Sequence, residues 1–149
     1  MRKPPEQLRP LPELAHVDTA PQLRIGAIAE RLGLSHRSIR HYEEAGLVIP
    51  AKRTAGGFRL YSELDVQRFL IVMSMQPLQF SLEEIGRFLT AVDDLRVTDS
   101  PDARRAALTV LDEFAEATDE KWAQLRTRVE IARGFRTYLN HELSQADDG

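Results

Sequence analysis

Residues 24–46 read RIGAIAERLGLSHRSIRHYEEAG, and this stretch decides the predicted fold. Apolar side chains recur in its first half at the i, i+3, i+4, i+7 spacing of a helix, namely Ile25, Ile28, Ala29 and Leu32. Gly33 suits the left-handed conformation that ends a helix, and Ser35 is a typical N-cap for a second one. The segment therefore predicts two helices joined by a tight turn.

The second predicted helix separates charged from apolar side chains. At 100° per residue, four polar side chains fall within an arc of about 100°, and these are Arg37, Arg40, His41 and Glu44. Ile39 and Tyr42 point roughly the opposite way. One face of this helix is therefore apolar, and the other is mostly cationic.

A β-hairpin is predicted across residues 48–61. Gly46 ends the preceding helix, Pro50 suits an edge strand, and Gly56-Gly57 supplies a turn. Period-two alternation then separates the side chains of the second strand onto two faces.

Four side chains of this hairpin suit a contact with nucleic acid. Arg59 and Tyr61 share one face of the second strand, while Lys52 and Arg53 lie on the other strand or in its loop. The arrangement is typical of a basic wing beside a helix that reads a DNA groove. A solvated cationic hairpin is the alternative.

Charge is distributed unevenly along the chain, whose net charge is −3. Residues 24–61 carry seven basic and three acidic side chains, whereas residues 62–149 carry ten basic and seventeen acidic ones. Because nucleic-acid binding depends on local charge, we expect any polyanion to contact residues 24–61.

Two further helices are predicted after Ser62 and Ser81, each of which is a cap with an acidic residue three positions on. Pro77 must end or kink the earlier helix. Their spacing predicts core positions at Leu64, Phe69, Leu70 and Met73 in one helix, and at Leu82, Ile85, Leu89 and Val92 in the other.

A long helix is predicted from Ser100-Pro101 to Leu143. Steps of three and four link a nearly continuous apolar seam of Leu108, Leu111, Ala115, Trp122, Leu125, Val129, Ala132, Leu139 and Leu143, with polar Thr118 and Arg136 among them. A helix of about 40 residues spans about 60 Å, too long to bury this seam on so small a domain. We therefore expect the seam to be covered by the same helix of a second copy in a homodimer. The alternatives are that the helix folds back on its own chain or binds a helix of another protein.

The composition excludes several classes of protein. The 149 residues include no cysteine, which excludes disulfides, thiolate metal sites and iron–sulfur clusters. The four histidines lack ligand spacing, so we predict no metal site and no cofactor. No apolar run approaches the roughly 18 residues of a membrane helix, and we expect a cytoplasmic protein without membrane contact. No set of residues is spaced for catalysis, so an enzyme is not expected.

An ordered set of motifs resembles the DNA-binding domain of MerR-type transcriptional regulators. The set comprises Arg40 and Tyr42-Glu43 before Gly46-Leu47, then Gly57-Phe58-Arg59-Leu60-Tyr61, then Phe80-Ser81-Leu82-Glu83-Glu84-Ile85. The resemblance covers residues 23–89. It implies a mainly α-helical fold, in which a winged helix-turn-helix with a small β-hairpin wing precedes a second helical wing and a long dimerisation helix in an antiparallel coiled coil.

The resemblance also assigns roles to individual residues. Arg37 and Arg40 match basic positions of the recognition helix, where a guanidinium pairs with guanine or with a phosphate. Arg59 and Tyr61 match wing positions that grip phosphates. The other predicted DNA contacts are Ser38, His41, Tyr42, Lys52 and Arg53, and for Tyr42 a core role is an equal alternative.

Three positions depart from the family pattern, and one of them is Pro77, which interrupts a helix that normally runs further and so affects the placement of the second wing. His41 stands where the family usually has tyrosine, and Phe58 replaces a frequent tyrosine. A DNA-facing histidine gains a positive charge when it is protonated. Our hypothesis is therefore that the affinity for DNA changes mildly between pH 6 and pH 8.

A second apolar strip flanks the seam, formed by Ile131, Phe135 and Tyr138 with Gly134 between them. Packing against the partner's DNA-binding domain, or a bend at Gly134, accounts for this strip. The alternative is a hydrophobic pocket for a small-molecule effector, which would also include Phe114 and Trp122.

The predicted organisation has four parts. Residues 1–22, with five of the eight prolines, form a flexible arm. Residues 23–95 form the DNA-binding domain, residues 100–143 the coiled-coil dimerisation helix and effector region, and residues 144–149 an acidic disordered tail.

The resemblance implies a homodimeric, sequence-specific regulator of transcription. It would act at promoters by bending and untwisting double-stranded DNA, with RNA polymerase as an indirect partner. An architectural DNA-binding protein without promoter control and a coiled-coil protein-interaction module are the alternatives.

Overall fold

The computed structural model describes residues 17–50 and 52–147. Its elements in chain order are β1 (Leu23–Arg24), α1 (Ile25–Leu32), α2 (His36–Glu44), β2 (Lys52–Arg53), β3 (Arg59–Tyr61), α3 (Glu63–Met75), a 3-10 helix (Gln76–Leu78), α4 (Leu82–Val97) and α5 (Pro101–Asp147). The mainly helical prediction with a small wing and a long final helix is confirmed. No helix within these residues is both long and apolar enough to cross a membrane.

The predicted helix-turn-helix is formed by α1 and α2. Gly33 ends α1 in the left-handed conformation, with φ of 67°. The Ser35 hydroxyl caps α2 by accepting a hydrogen bond from the backbone N–H of Ser38 at 3.0 Å. Ile28 and Ile39 are fully buried in the same core, so the apolar faces of the two helices pack into one interior.

The wing is a three-stranded antiparallel sheet in the order β1-β3-β2, where the sequence predicted a two-stranded hairpin. Leu23 pairs with Tyr61 and Arg24 pairs with Leu60, while Lys52 and Arg53 pair with the other edge of β3. The prediction missed β1 because a strand of two residues shows no alternation pattern.

The last part of the predicted flexible arm is attached to the domain. The Gln22 N–H donates to the Tyr61 carbonyl at 3.0 Å, and the Leu64 N–H donates to the Asp18 carbonyl at 3.3 Å. The prediction of a free arm is therefore wrong for residues 18–22. Residues 1–16 of the arm lie outside the described residues.

Capping boxes begin α3 and α4, as their sequences predict. Ser62 with Asp65 and Ser81 with Glu84 exchange reciprocal backbone-to-side-chain hydrogen bonds. Helix α3 ends at Met75, the 3-10 helix contains Pro77, and Gln79 follows in the left-handed conformation. Of the predicted core positions, Phe69, Leu70, Ile85, Leu89 and Val92 are buried, whereas Leu64, Met73 and Leu82 are half-buried.

The first half of α5 packs against α4 of the same chain. The ring of Phe114 is 6% exposed and lies 5.5 Å from that of Phe80 and 5.4 Å from that of Phe88, measured between centroids. Arg87 on α4 forms a salt bridge with Glu113 on α5. The second half of α5 extends beyond the domain and is mostly exposed.

Helix α5 is longer than predicted, because it continues to Asp147. Residues 144–147 are helical, so the predicted disordered tail is wrong for these four residues. A helix needs no buried face to continue for one more turn when its sequence contains no breaker, and Glu142 to Ala146 contain neither glycine nor proline.

Candidate nucleic-acid interface

Helix α2 presents a cationic face to solvent. The side chains of Arg37, Arg40 and His41 are exposed, and none of them forms a side-chain hydrogen bond or ion pair with another described residue. The burial of Ile39 and Tyr42 on the opposite side fixes the rotation of the helix, so this cationic face points outward. The guanidinium groups are thus free to donate to acceptors outside the chain.

Ser38 lies at the start of this face and is half-buried. Its hydroxyl is 3.0 Å from that of Ser35, the cap of α2. The structure therefore engages the Ser38 side chain with the helix cap.

The structure places Tyr42 in the core. The side chain is 6% exposed, and its hydroxyl donates a hydrogen bond to Oε1 of Gln76 at 2.9 Å. Burial raises the pKa of this hydroxyl above its usual value. Of the two roles that the sequence left open, the core role fits this geometry, because the hydroxyl is directed at Gln76, the residue after α3, and away from the cationic face.

Tyr61 lies in the core, whereas the family resemblance implies that it contacts a phosphate. Its side chain is fully buried, and its hydroxyl donates to Oε2 of Glu43 at 3.0 Å. Burial first, and then this hydrogen bond, raise the pKa of Tyr61 above its usual value. The sequence correctly placed Tyr61 on the same face of the strand as Arg59, but that face packs against α2, so Tyr61 is not available to a phosphate in this structure.

Arg59 is the half-exposed basic side chain of the wing. Its Nε donates to the Glu43 carboxylate at 2.8 Å, while the rest of the guanidinium has no partner among the described residues. Hydrogen bonding to Glu43 raises the pKa of Arg59, which keeps the group cationic.

The other wing strand adds two exposed cations. Arg53 is 3.4 Å from Glu43, at the limit of a hydrogen bond, and its side chain is 55% exposed. Lys52 is exposed and has no ion pair with any residue that the structure describes. The structure thus brings Lys52, Arg53 and Arg59 into one sheet beside α2.

Sequence reasoning missed two residues of this surface. Arg24 lies on the added strand β1, and its guanidinium is 5.3 Å from the centroid of the exposed Phe58 ring. Glu43 links the wing to α2, although the sequence identified it only as part of a motif. The charge count of residues 24–61 included Arg24, but only strand pairing places that side chain in the wing.

The predicted dimerisation residues of α5 stay uncovered in the single chain. Leu108, Trp122, Val129 and Leu139 are between 43% and 56% exposed. Ala115 and Ala132 are exposed too, while Leu111 and Leu125 are half-buried. Most of the seam is therefore left uncovered by residues 17–50 and 52–147.

The predicted effector pocket is not formed within one chain. Phe114 is buried between α4 and α5, whereas Ile131, Phe135 and Tyr138 are between 59% and 69% exposed. Trp122 and Ile131 are nine residues apart, which at 100° per residue places them on opposite faces of α5. The single chain therefore does not bring these five side chains together, and the alternative of an effector pocket stays a prediction. No group of three metal-ligating side chains occurs among the described residues.

Comparisons with known proteins agree with this geometry. Residues 23–92 match the family model described as MerR HTH family regulatory protein. The mercuric resistance operon regulatory protein of Bacillus cereus is 40% identical over 72 residues, which cover 48% of this chain and 54% of that protein. The HTH-type transcriptional regulator YfmP of Bacillus subtilis (strain 168) is 32% identical over 127 residues, 85% of this chain and 79% of that protein.

A solved structure extends the likeness to the fold. HiNmlR, described as a MerR family regulator lacking the sensor domain and bound to promoter DNA, matches with a TM-score of 0.58 at 19% identity, covering 78% of this chain and 89% of that chain. In contrast to YfmP, the mercuric resistance regulator is matched over only about half of its length.

Proposed function

Because the chain belongs to the MerR family of helix-turn-helix regulatory proteins, we propose that it is a homodimeric, sequence-specific regulator of transcription that binds promoter DNA. Residues 23–95 are the DNA-binding domain in this proposal, and residues 100–143 form the dimerisation helix. Its relatives are regulators of transcription rather than enzymes.

The observation that carries the DNA-binding proposal is the exposed cationic face of α2. Arg37, Arg40 and His41 lie within one arc, and their side chains form no hydrogen bond or ion pair among the described residues. An α-helix fits the major groove, where arginine donates two hydrogen bonds to the acceptors of guanine. Arg53 and Arg59 beside the helix suit phosphates, which fix the orientation of the protein without reading the sequence.

The uncovered seam of α5 supports a homodimer. Its apolar side chains continue well beyond the domain that covers the start of the helix, and Trp122 alone is 56% exposed. Apolar side chains at steps of three and four are stabilised by a second helix that packs into the same seam. Two copies of the chain would then hold two recognition helices at a fixed separation, matching two half-sites of one operator.

One relative is named for a mercuric resistance operon, but we propose no thiolate metal site for this chain. Mercury is a soft metal that binds thiolates, and the sequence has no cysteine. An effector of this chain would have to bind without thiolates. The alternative that we retain is a hydrophobic small molecule held between two copies of α5.

The proposal also includes the mode of action that the family resemblance implies. The dimer would bend and untwist promoter DNA, so that RNA polymerase engages both promoter elements. The deformation costs free energy that phosphate contacts from residues such as Arg53 and Arg59 offset.

The decisive experiment measures binding of the purified protein to two duplexes at two salt concentrations. One duplex is the DNA upstream of its own coding sequence, and the other is a scrambled sequence of equal composition. We expect tight, selective binding to the upstream duplex that weakens as salt rises. The double variant Arg37→Ala, Arg40→Ala should lose the selectivity while keeping its far-UV circular dichroism.

Other outcomes would favour the competing functions. Equal binding of wild-type protein to both duplexes, and to further upstream regions, would favour an architectural DNA-binding protein. No binding to either duplex at low salt would favour a protein-interaction module.

A further inference from the structure

Glu43 is a carboxylate placed beside a surface that should attract phosphates. It lies on α2 between the exposed cationic face and the buried side of the helix, and its side chain is only 11% exposed. Removing a carboxylate from water costs free energy unless charged or polar donors compensate. The Glu43 carboxylate therefore needs donors, and these donors come from outside α2.

Among the described residues, all hydrogen-bond partners of the Glu43 carboxylate belong to the wing. Nε of Arg59 lies between the two carboxylate oxygens, at 2.8 Å from Oε1 and 2.7 Å from Oε2. The Tyr61 hydroxyl donates to Oε2 at 3.0 Å, and Arg53 reaches Oε1 at 3.4 Å. One side chain of the recognition helix thus connects to both β2 and β3.

These contacts restrict the orientation of Arg59. Only Nε is used by Glu43, and the two Nη groups have no partner among the described residues. The guanidinium is planar, so fixing its Nε–H edge also fixes the direction of the outer N–H groups. The Arg59 side chain is 29% exposed, which leaves room for a ligand at that outer edge.

We propose that Glu43 is a positioning residue for DNA binding, which fixes Arg59 so that its outer nitrogens meet a phosphate beside the groove read by α2. This inference rests on the proposed function. Glu43 itself contacts no DNA and acts through Arg59. Glu43, which holds Arg59, lies on the same helix as Arg37 and Arg40. The position of the phosphate-binding arginine is therefore fixed relative to the residues that read bases.

Simple electrostatics makes the opposite prediction. A negative charge close to DNA repels phosphates, so its removal should strengthen binding to every sequence. Glu44 provides the matched control, because its side chain is exposed on the same helix and acts on Arg59 only through space, with no side-chain hydrogen bond or salt bridge within the described residues. Glu43→Ala and Glu44→Ala remove the same charge from neighbouring positions, and only the first releases Arg59.

The test measures dissociation constants of both variants across a series of salt concentrations, using a duplex that the wild-type protein has enriched from a random-sequence pool. We expect Glu43→Ala to weaken binding about tenfold at moderate salt and to reduce the slope of log K against log salt by about 1, as for one lost phosphate contact. Glu44→Ala should bind as well as wild type or better, with an unchanged slope. In an Arg59→Ala background, Glu43→Ala should add less than about twofold, because its effect passes through Arg59.

A second measurement separates positioning from damage to the fold. Exchange of the Arg59 Nε–H proton with water, followed by NMR without DNA, should be slow in wild type and in Glu44→Ala and fast in Glu43→Ala. If Glu43→Ala unfolds, Glu43→Gln replaces it, since the amide oxygen keeps an acceptor for Tyr61 while the charge and the second oxygen are lost.

The outcomes separate this inference from the function on which it rests. Selective wild-type binding combined with equal behaviour of the Glu43 and Glu44 variants would overturn the positioning role alone. A random pool from which wild-type protein enriches no sequence would overturn the proposed function, and the positioning role with it.

Discussion

The hydroxyl of Tyr42 donates a 2.9 Å hydrogen bond to Oε1 of Gln76, and this bond ties α2 to the residue that follows α3. The Tyr42 ring also lies 6.5 Å from the ring of Phe69 in the core. The recognition helix is therefore held on its inner side by a packed aromatic ring and a directed hydrogen bond. Its rotation, and with it the direction of the cationic face, follows from these contacts.

Tyr42→Phe should lower the free energy of unfolding by about 1 kcal/mol, because one hydrogen bond is lost while the ring stays packed. Urea denaturation followed by circular dichroism measures the change. Gln76→Ala should cost a similar amount, and the double variant should cost little more than either single one. Unchanged stability together with weaker DNA binding in Tyr42→Phe would restore the DNA-contact interpretation of this tyrosine.

Tyr61 should make the protein sensitive to alkali. The pKa of the buried hydroxyl is raised above the usual value of 10.0, so the folded state keeps this proton at a pH where the unfolded chain releases it. The stability from this group is complete below about pH 10 and falls by up to about 1.4 kcal/mol per pH unit above it.

The measurement compares urea denaturation of wild type and Tyr61→Phe between pH 8 and pH 11. The difference in stability between the two proteins should shrink as the pH rises above about 10, because phenylalanine has no proton to lose. A constant difference across this range would contradict the pKa direction. The comparison isolates Tyr61, since lysine side chains titrate equally in both proteins.

The local features of the fold were predictable because each depends on residues a few positions apart. Ser62 and Ser81, each with an acidic residue three positions later, predict the starts of two helices. Gly33 ends α1 because glycine tolerates the left-handed conformation. These interactions need no knowledge of the rest of the chain. The spacing of apolar residues in α1 and α2 is local in the same sense.

The features that sequence reasoning missed depend on distant partners. Tyr61 and Arg59 were assigned to one face of their strand, but only the packing of the sheet reveals that this face meets Glu43, 16 to 18 positions earlier in the chain. The sequence left a place for Phe114 in an effector pocket open as an alternative, because the pattern of α5 alone does not reveal which of its turns contact α4. For the wing the spacing was interpreted correctly and only the neighbouring residue Glu43 was missing.

Arg40 and Arg59 should respond differently to alanine substitution. If Arg40 reads a base, Arg40→Ala should lose about 1–3 kcal/mol of binding on the preferred duplex and relax its sequence preference. Arg59→Ala should weaken binding to all sequences similarly and reduce the salt slope by about 1, because a phosphate contact carries no sequence information.

Fluorescence anisotropy with the preferred and the scrambled duplex measures both effects. Lys52→Ala, which changes an exposed wing cation without an ion pair among the described residues, is the control for a general loss of charge. Equal losses on both duplexes for Arg40→Ala as well as for Arg59→Ala would mean that Arg40 is not the base reader.

Phe114→Ala should destabilise the chain by about 3–5 kcal/mol, because the ring fills the space between Phe80 and Phe88 and leaves a cavity when it is removed. Thermal denaturation at a fixed protein concentration measures the loss. Phe135→Ala is the matched control, since that ring is 65% exposed in the single chain. An equal loss for both variants would show that Phe135 is buried as deeply as Phe114 in the assembled protein.

Trp122→Ala should weaken the proposed dimer, because Trp122 is the largest side chain of the seam and is 56% exposed in the single chain. Large aromatic side chains near the middle of an interface typically contribute at least about 2 kcal/mol on truncation to alanine. Sedimentation equilibrium should therefore show a dimer dissociation constant raised by a factor of about 30 or more. Ile131→Ala, on the opposite face of α5 and 69% exposed, is the control and should change the constant much less. A wild-type protein that sediments as a monomer at all concentrations would contradict the dimer itself, whereas equal weakening by both substitutions would place the interface on both faces of the helix.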